Sequence, residues 1–148
     1  RYSYFGGNFV HAHMKPLLDD PPQFTGEAET DDPPSHVLPK RRDEIALEVC
    51  ECLIDIASAL FSVSSKELRR PGRTSQPVSR VRQIAMYVAN VELRLTMSDI
   101  GRGFGRDRTT VVHACQIIED LRDNPEFDSV VHMFEQIAAA AFRNRLGI

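Results

Sequence analysis

The chain has 148 residues, 42% of them hydrophobic, and carries 18 Lys and Arg against 21 Asp and Glu for a net charge of −3. That length suits one domain of ordinary size plus a tail. No run of 18 apolar residues is present to span a bilayer, and the first ten residues lack the apolar core of a signal peptide. Cys50, Cys52 and Cys115 make no disulfide framework, which points to a reducing cytoplasm. Cys50 and Cys52 lie two apart in a helical pattern, so they cannot chelate one metal together. All three read as small buried or half-buried residues, and nothing in the sequence calls for a cofactor.

Residues 1–42 hold six of the nine prolines, with acidic and polar residues between them. Such a segment buries too little apolar surface to offset its ordering entropy and is predicted to be a disordered tail. His11 and His13 within it read as solvated side chains rather than metal ligands. Met14-Lys15 would serve as a native start, with residues 1–13 upstream of it.

From Asp43 the pattern changes. Ala46, Val49, Cys50, Leu53, Ala57, Leu60 and Phe61 recur at helical spacing, widened by Ile45, Ile54 and Ile56, and Asp43 and Glu44 favour a helix start. This predicts a helix over 43–61 that either anchors a core or meets a protein partner, a second copy included. Ser64 and Glu67 have capping-box spacing and predict a short helix ending near Arg70. A basic loop follows through Pro77. Val81, Ile84, Ala85, Val88 and Ala89 then define a helix entered from Ser79, with Arg80 and Arg82 at its mouth. Leu93 and Leu95 bridge onward.

A short amphipathic segment from Ser98 to Phe104 runs into Gly105, which permits the left-handed backbone that ends a helix. Asp107 is predicted to cap a second helix, its side chain accepting the amides two or three residues on. Val111, Ala114, Cys115, Ile118 and Leu121 make that helix's inward face, while Asp107, Arg108, Thr109, Thr110 and His113 crowd its N-terminal end and outward side. Two helices joined by a tight glycine turn describe a helix-turn-helix, whose second helix meets base edges in the major groove. An ordinary helical hairpin with a solvated face is the alternative. Finally Asn124-Pro125-Glu126 supplies a cap, a proline and an early acid for a last helix lined by Val130, Val131, Phe134, Ile137, Ala138 and Ala141. The domain over 43–148 is therefore expected to be all-α, a helical bundle containing a helix-turn-helix.

Charge divides along this order. Residues 43–65 hold five acidic groups and no basic one, whereas residues 66–108 hold ten basic against four acidic. The basic third, nearly all arginine, coincides with the motif. Local field rather than whole-chain charge governs phosphate attraction, and arginine forks suit phosphate and guanine.

The runs Arg80-Val81-Arg82-Gln83-Ile84-Ala85-Met86-Tyr87 and Gly105-Arg106-Asp107-Arg108-Thr109-Thr110-Val111-Val112-His113-Ala114-Cys115 resemble the C-terminal DNA-binding domain of the bacterial replication initiators of the DnaA family, over roughly residues 49–138. The resemblance implies a minor-groove role for Arg82 and base contacts in the major groove for Asp107 and Thr109. It also implies phosphate contacts for Thr110, His113 and the basic loop around Arg69 and Arg70. Arg73, Arg80 and Arg106 add to that phosphate set by their charge, and Arg108 joins the base-reading set. Arg108 stands where the family usually has histidine, exchanging an apolar edge for a fork that prefers guanine. Ser98 replaces a family proline, and only Gly105 immediately precedes the motif arginine where many members have two glycines.

No Gly-x-x-x-x-Gly-Lys-Ser/Thr loop occurs, so ATP hydrolysis of the kind the family's other module performs is not expected. Asp107 and His113 lie six apart, roughly on opposite sides of a helix, and form no nucleophile–base pair, so the chain is not expected to be an enzyme. The sequence predicts a stand-alone reader of double-stranded DNA at initiator-type boxes, nucleoid-associated in a bacterial cytoplasm, that regulates replication initiation or transcription. The alternative is a protein-interaction module using the 43–61 helix.

Overall fold

The computed structural model describes residues 40–147. The expectations for the tail, His11, His13 and Met14 fall outside these residues. Six helices follow in order: α1 Arg42–Phe61, α2 Ser65–Arg69, α3 Gln76–Val91, α4 Met97–Phe104, α5 Arg108–Leu121 and α6 Pro125–Leu146. No strand occurs among the described residues, so the all-α expectation holds.

The inward stripes meet in one core. Leu53 and Ile54 of α1, Met86 and Val88 of α3, Ile100 of α4, Val111 and Ile118 of α5 and Val131 and Phe134 of α6 are all buried. Burying each such side chain is worth about 1.5–3 kcal/mol. α3 packs chiefly on α5, and α1 on α4. Phe61 closes the end of α1 with its ring edge on Phe134, centroids 5.8 Å apart at 78°. The core therefore consumes the apolar face of α1 that had suggested a partner. Val130 and Ala141 of α6, expected to face inward, are exposed instead.

Several helix starts differ from the sequence reading. α3 begins three residues before Ser79, with Pro77 in its first turn, where a missing N–H costs nothing. α4 begins at Met97, because Thr96 caps it: the Thr96 hydroxyl accepts from the Asp99 amide at 3.1 Å and donates to the Asp99 carboxylate at 2.8 Å. Ser64 occupies the cap position of α2, but its side chain makes no capping bond. Asn124 behaves as expected, its side-chain oxygen accepting from the Glu126 and Phe127 amides at 3.0 Å each.

A polar hub ties α6 to the rest. Arg122 donates to Glu135 at 2.5 Å, to Asp128 at 2.5 Å and to the Tyr87 hydroxyl at 3.2 Å, while Tyr87 donates to Glu119 at 2.6 Å. Its guanidinium carbon also lies 5.5 Å from the centre of the Tyr87 ring. Burial, with the Glu119 bond, pushes the Tyr87 hydroxyl up to about 12, and the Glu135 bond holds Arg122 still more firmly protonated. Burial likewise pushes the Cys50 thiol up to about 12, an inert structural cysteine. Cys52, expected to be at least half-buried, is exposed.

Among the described residues, no helix is long and apolar enough to cross a membrane.

Candidate nucleic-acid interface

The turn between α4 and α5 is built by three glycines with different tasks. Gly105 takes a left-handed conformation, φ 61°, and closes α4 with bonds from its own amide to the Arg102 carbonyl and from the Arg106 amide to the Gly101 carbonyl at 2.8 Å. A Cβ on Gly101 would lie 2.7 Å from the Arg106 carbonyl oxygen, inside the turn. A Cβ on Gly103 would lie 2.4 Å from the Cβ of Cys50, so this glycine lets α4 lie directly on α1. Arg102 and the Thr96 hydroxyl fix Asp99 at the other end of α4.

α5 then presents its first turn to solvent. Asp107, Arg108, Thr109, Thr110 and, one turn on, His113 are all exposed, while Val111, Ala114 and Ile118 face the core. Asp107 sits at the cap position in an extended conformation, but its side chain bonds no amide of the helix, contrary to the sequence expectation. With no side-chain bond from Asp107, the first-turn N–H groups of α5 carry no side-chain cap. The exposed strip lies beside the first turns of α3, and a cleft of about 80 Å³ between them is lined by Arg82, Arg106, Thr110 and His113, among others.

The arginines divide by what they touch. Arg106 donates to the carbonyl of Arg70 at 2.6 Å, which sets the basic loop beside the turn. Arg70 and Arg73 are exposed, and Gly72 between them turns the chain at φ 84°. Arg80 bonds Gln83 at 3.1 Å. Arg69 instead faces α1, where it pairs with Glu51 at 2.7 Å and Asp55 at 3.0 Å, and these bonds hold its guanidinium more firmly protonated. It therefore stands apart from the expected phosphate set. Arg82, expected to reach out to a groove, is 6% exposed. Its Nε donates to the Leu68 carbonyl at 2.8 Å and its Nη2 to the Glu67 carbonyl at 3.0 Å. Burial and the neighbouring Arg106 charge lower its hold on the proton. Arg108 enters no ion pair or side-chain hydrogen bond among the described residues.

Thr96, Asp99, Gly101, Gly103 and the hub around Arg122 support the site without having stood out in the sequence. The Thr-x-x-Asp spacing at 96–99 was visible and signals a cap. The hub joins residues up to 35 apart and left no local signal.

A glycine-turned helix pair with an exposed polar start to its second helix, beside an arginine loop, is the build of a DNA-binding helix-turn-helix domain. Comparison with known proteins narrows this class. The family described as bacterial dnaA protein helix-turn-helix matches residues 50–118, so this stretch is similar to the helix-turn-helix of that family. The chromosomal replication initiator protein DnaA of Lachnoclostridium phytofermentans is 31% identical over 97 residues, covering 64% of this chain. The chain spans 20% of the length of that relative. A solved structure of the replication initiator DnaA bound to AMPPCP and single-stranded DNA matches in fold. Its TM-score is 0.58 at 23% identity, over 66% of this chain and 30% of that one.

Proposed function

We propose that this chain binds double-stranded DNA sequence-specifically at initiator-type boxes and thereby regulates replication initiation or transcription. The observation that carries the reading is the exposed run Asp107 to Thr110 at the start of α5, with its first-turn amides free of a side-chain cap. A helix start of this kind enters the major groove and offers its N–H groups to phosphate. Asp107, Arg108 and Thr109 read base edges in this account, because they stand foremost and carry the donors and acceptors that bases recognise. Arg70, Arg73, Arg80, Arg106, Thr110 and His113 hold the phosphate backbone and set register.

Arg69 and Arg82 take part only by giving up present bonds: Arg69 its carboxylates on α1, Arg82 its carbonyls on α2. In the free protein Arg82 acts inward, and its minor-groove contact, implied by the family likeness, follows only after release. The protein-interaction reading keeps little support. α1 spends its apolar stripe on the core, and the large hydrophobic side chain that it exposes is Leu47, set among carboxylates.

The test is a gel shift with a box duplex and a scrambled duplex at physiological salt. Preference for the box supports the reading, and equal affinity removes it. Thr109→Ala is expected to cost about 1–3 kcal/mol on the box while leaving the melting temperature unchanged.

A further inference from the structure

Two arginines from different elements converge on the end of α2. Arg82 reaches from α3 to the carbonyls of Glu67 and Leu68 at 3.0 and 2.8 Å, and Arg106 reaches from the helix-turn-helix turn to the carbonyl of Arg70 at 2.6 Å. The last carbonyls of a helix lack intrahelical partners and carry the negative end of its dipole. α2 has five residues, too few to hold its shape alone, and its own closing bond is a long one, from the Arg70 amide to the Glu67 carbonyl at 3.3 Å. Bringing two like charges together, one of them buried, is costly unless both are well hydrogen-bonded. The α2 carbonyls supply those bonds.

We propose that Arg82 and Arg106 are positioning residues: in the DNA-free chain both clamp the C-terminal end of α2 onto the helix-turn-helix, so that Arg70 and Arg73 in the following loop are set to face the same duplex as α5, and Arg106 keeps the loop there when Arg82 is released to a groove. Arg106 thus acts on DNA mainly through Arg70 and Arg73, beyond any phosphate it touches itself. This rests on the DNA-binding reading above.

The deciding experiment is the salt dependence of box-duplex binding by the chain and by Arg106→Ala, Arg70→Ala/Arg73→Ala, and the triple variant. A side chain that meets one phosphate removes about 0.9 from the slope of log K against log salt. The clamp predicts that Arg106→Ala alone lowers the slope by about 2.7, because three phosphate contacts are lost together, and that the triple variant is no lower. A loss of about 0.9, additive with the loss in Arg70→Ala/Arg73→Ala, would overturn the proposal. Hydrogen exchange on the DNA-free chain gives an independent readout. The Leu68 and Arg70 amides should exchange at least about tenfold faster in Arg106→Ala than in the parent, and faster again in Arg82→Ala. Unchanged exchange in Arg106→Ala, which is not buried, would sink the clamp even where Arg82→Ala fails to fold. Absence of duplex binding by the parent would instead refute the DNA reading, with the exchange result still deciding the clamp.

Discussion

Arg108 and Asp99 show how much a single side chain decides here. Arg108 is the exposed first residue of α5 and enters no ion pair among the described residues, whereas Arg69, Arg102 and Arg122 are each held by carboxylates. A free guanidinium fork at the tip of a reading helix pairs with the two acceptors of guanine, and a glutamine there pairs with adenine. Arg108→Gln is therefore expected to shift the preferred base at one operator position from guanine to adenine. Selection from a random duplex library with both proteins checks this, and an unchanged motif would place Arg108 off the bases. Asp99 works at the far end of the same motif. Burial raises its carboxyl, but the bonds from Thr96 and Arg102 outweigh burial and hold it below its ordinary value. A lowered folded value means that its stabilisation is complete above about pH 4 and fades as pH falls through the folded value. Asp99→Asn should accordingly lower the melting temperature more at pH 7 than near pH 2, as thermal unfolding at the two pH values would show.

At the scale of elements, α4 is positioned by what it lacks. Gly103 has no Cβ where one would meet the Cys50 Cβ at 2.4 Å and its Sγ at 2.6 Å, so the Cys50 side chain of α1 packs directly on the α4 backbone. Gly103→Ala forces the two helices apart and is expected to cost about 1–3 kcal/mol in stability, read from denaturant midpoints. An unshifted midpoint would mean that the contact relaxes freely. The apolar stripes of α1, α3 and α5 were legible in the sequence because a helix core repeats every three or four residues. The left-handed end of α4 was legible too, since it falls on Gly105, whereas the need for Gly101 inside the turn depends on the Arg106 carbonyl beside it. Cap bonds were less so. Ser64 and Asp107 stand at cap positions without bonding, because spacing fixes which residue flanks a helix but not where its side chain turns. Thr96 shows the converse, a cap formed where the hydrophobic pattern pointed to Ser98.

Across the whole molecule, charge is paired more thoroughly than the sequence suggested. The acidic run on α1 is matched inside the domain: Glu51 and Asp55 by Arg69, and Glu48 by Lys40 and Arg145. The basic third thus loses Arg69 to α1, and Arg82 turns inward, which no segment count reveals because pairing depends on tertiary neighbours. The Arg122 hub fixes α6 against α3 and α5 in the same way, with Glu135 only 8% exposed beneath it. Arg122→Met leaves that carboxylate without its main partner and is expected to cost on the order of 2–3 kcal/mol, allowing for the arginine's own partial exposure. Thermal denaturation checks it, and a loss below about 0.5 kcal/mol would show the hub to be dispensable. In the proposed function one surface, the start of α5 with the loop it holds, meets the duplex. Amide chemical shifts recorded while a box duplex is titrated into the chain test this most directly. The account predicts changes concentrated at residues 70–73, 80–82 and 106–113. Changes centred on α1 or α6, with α5 silent, would contradict it.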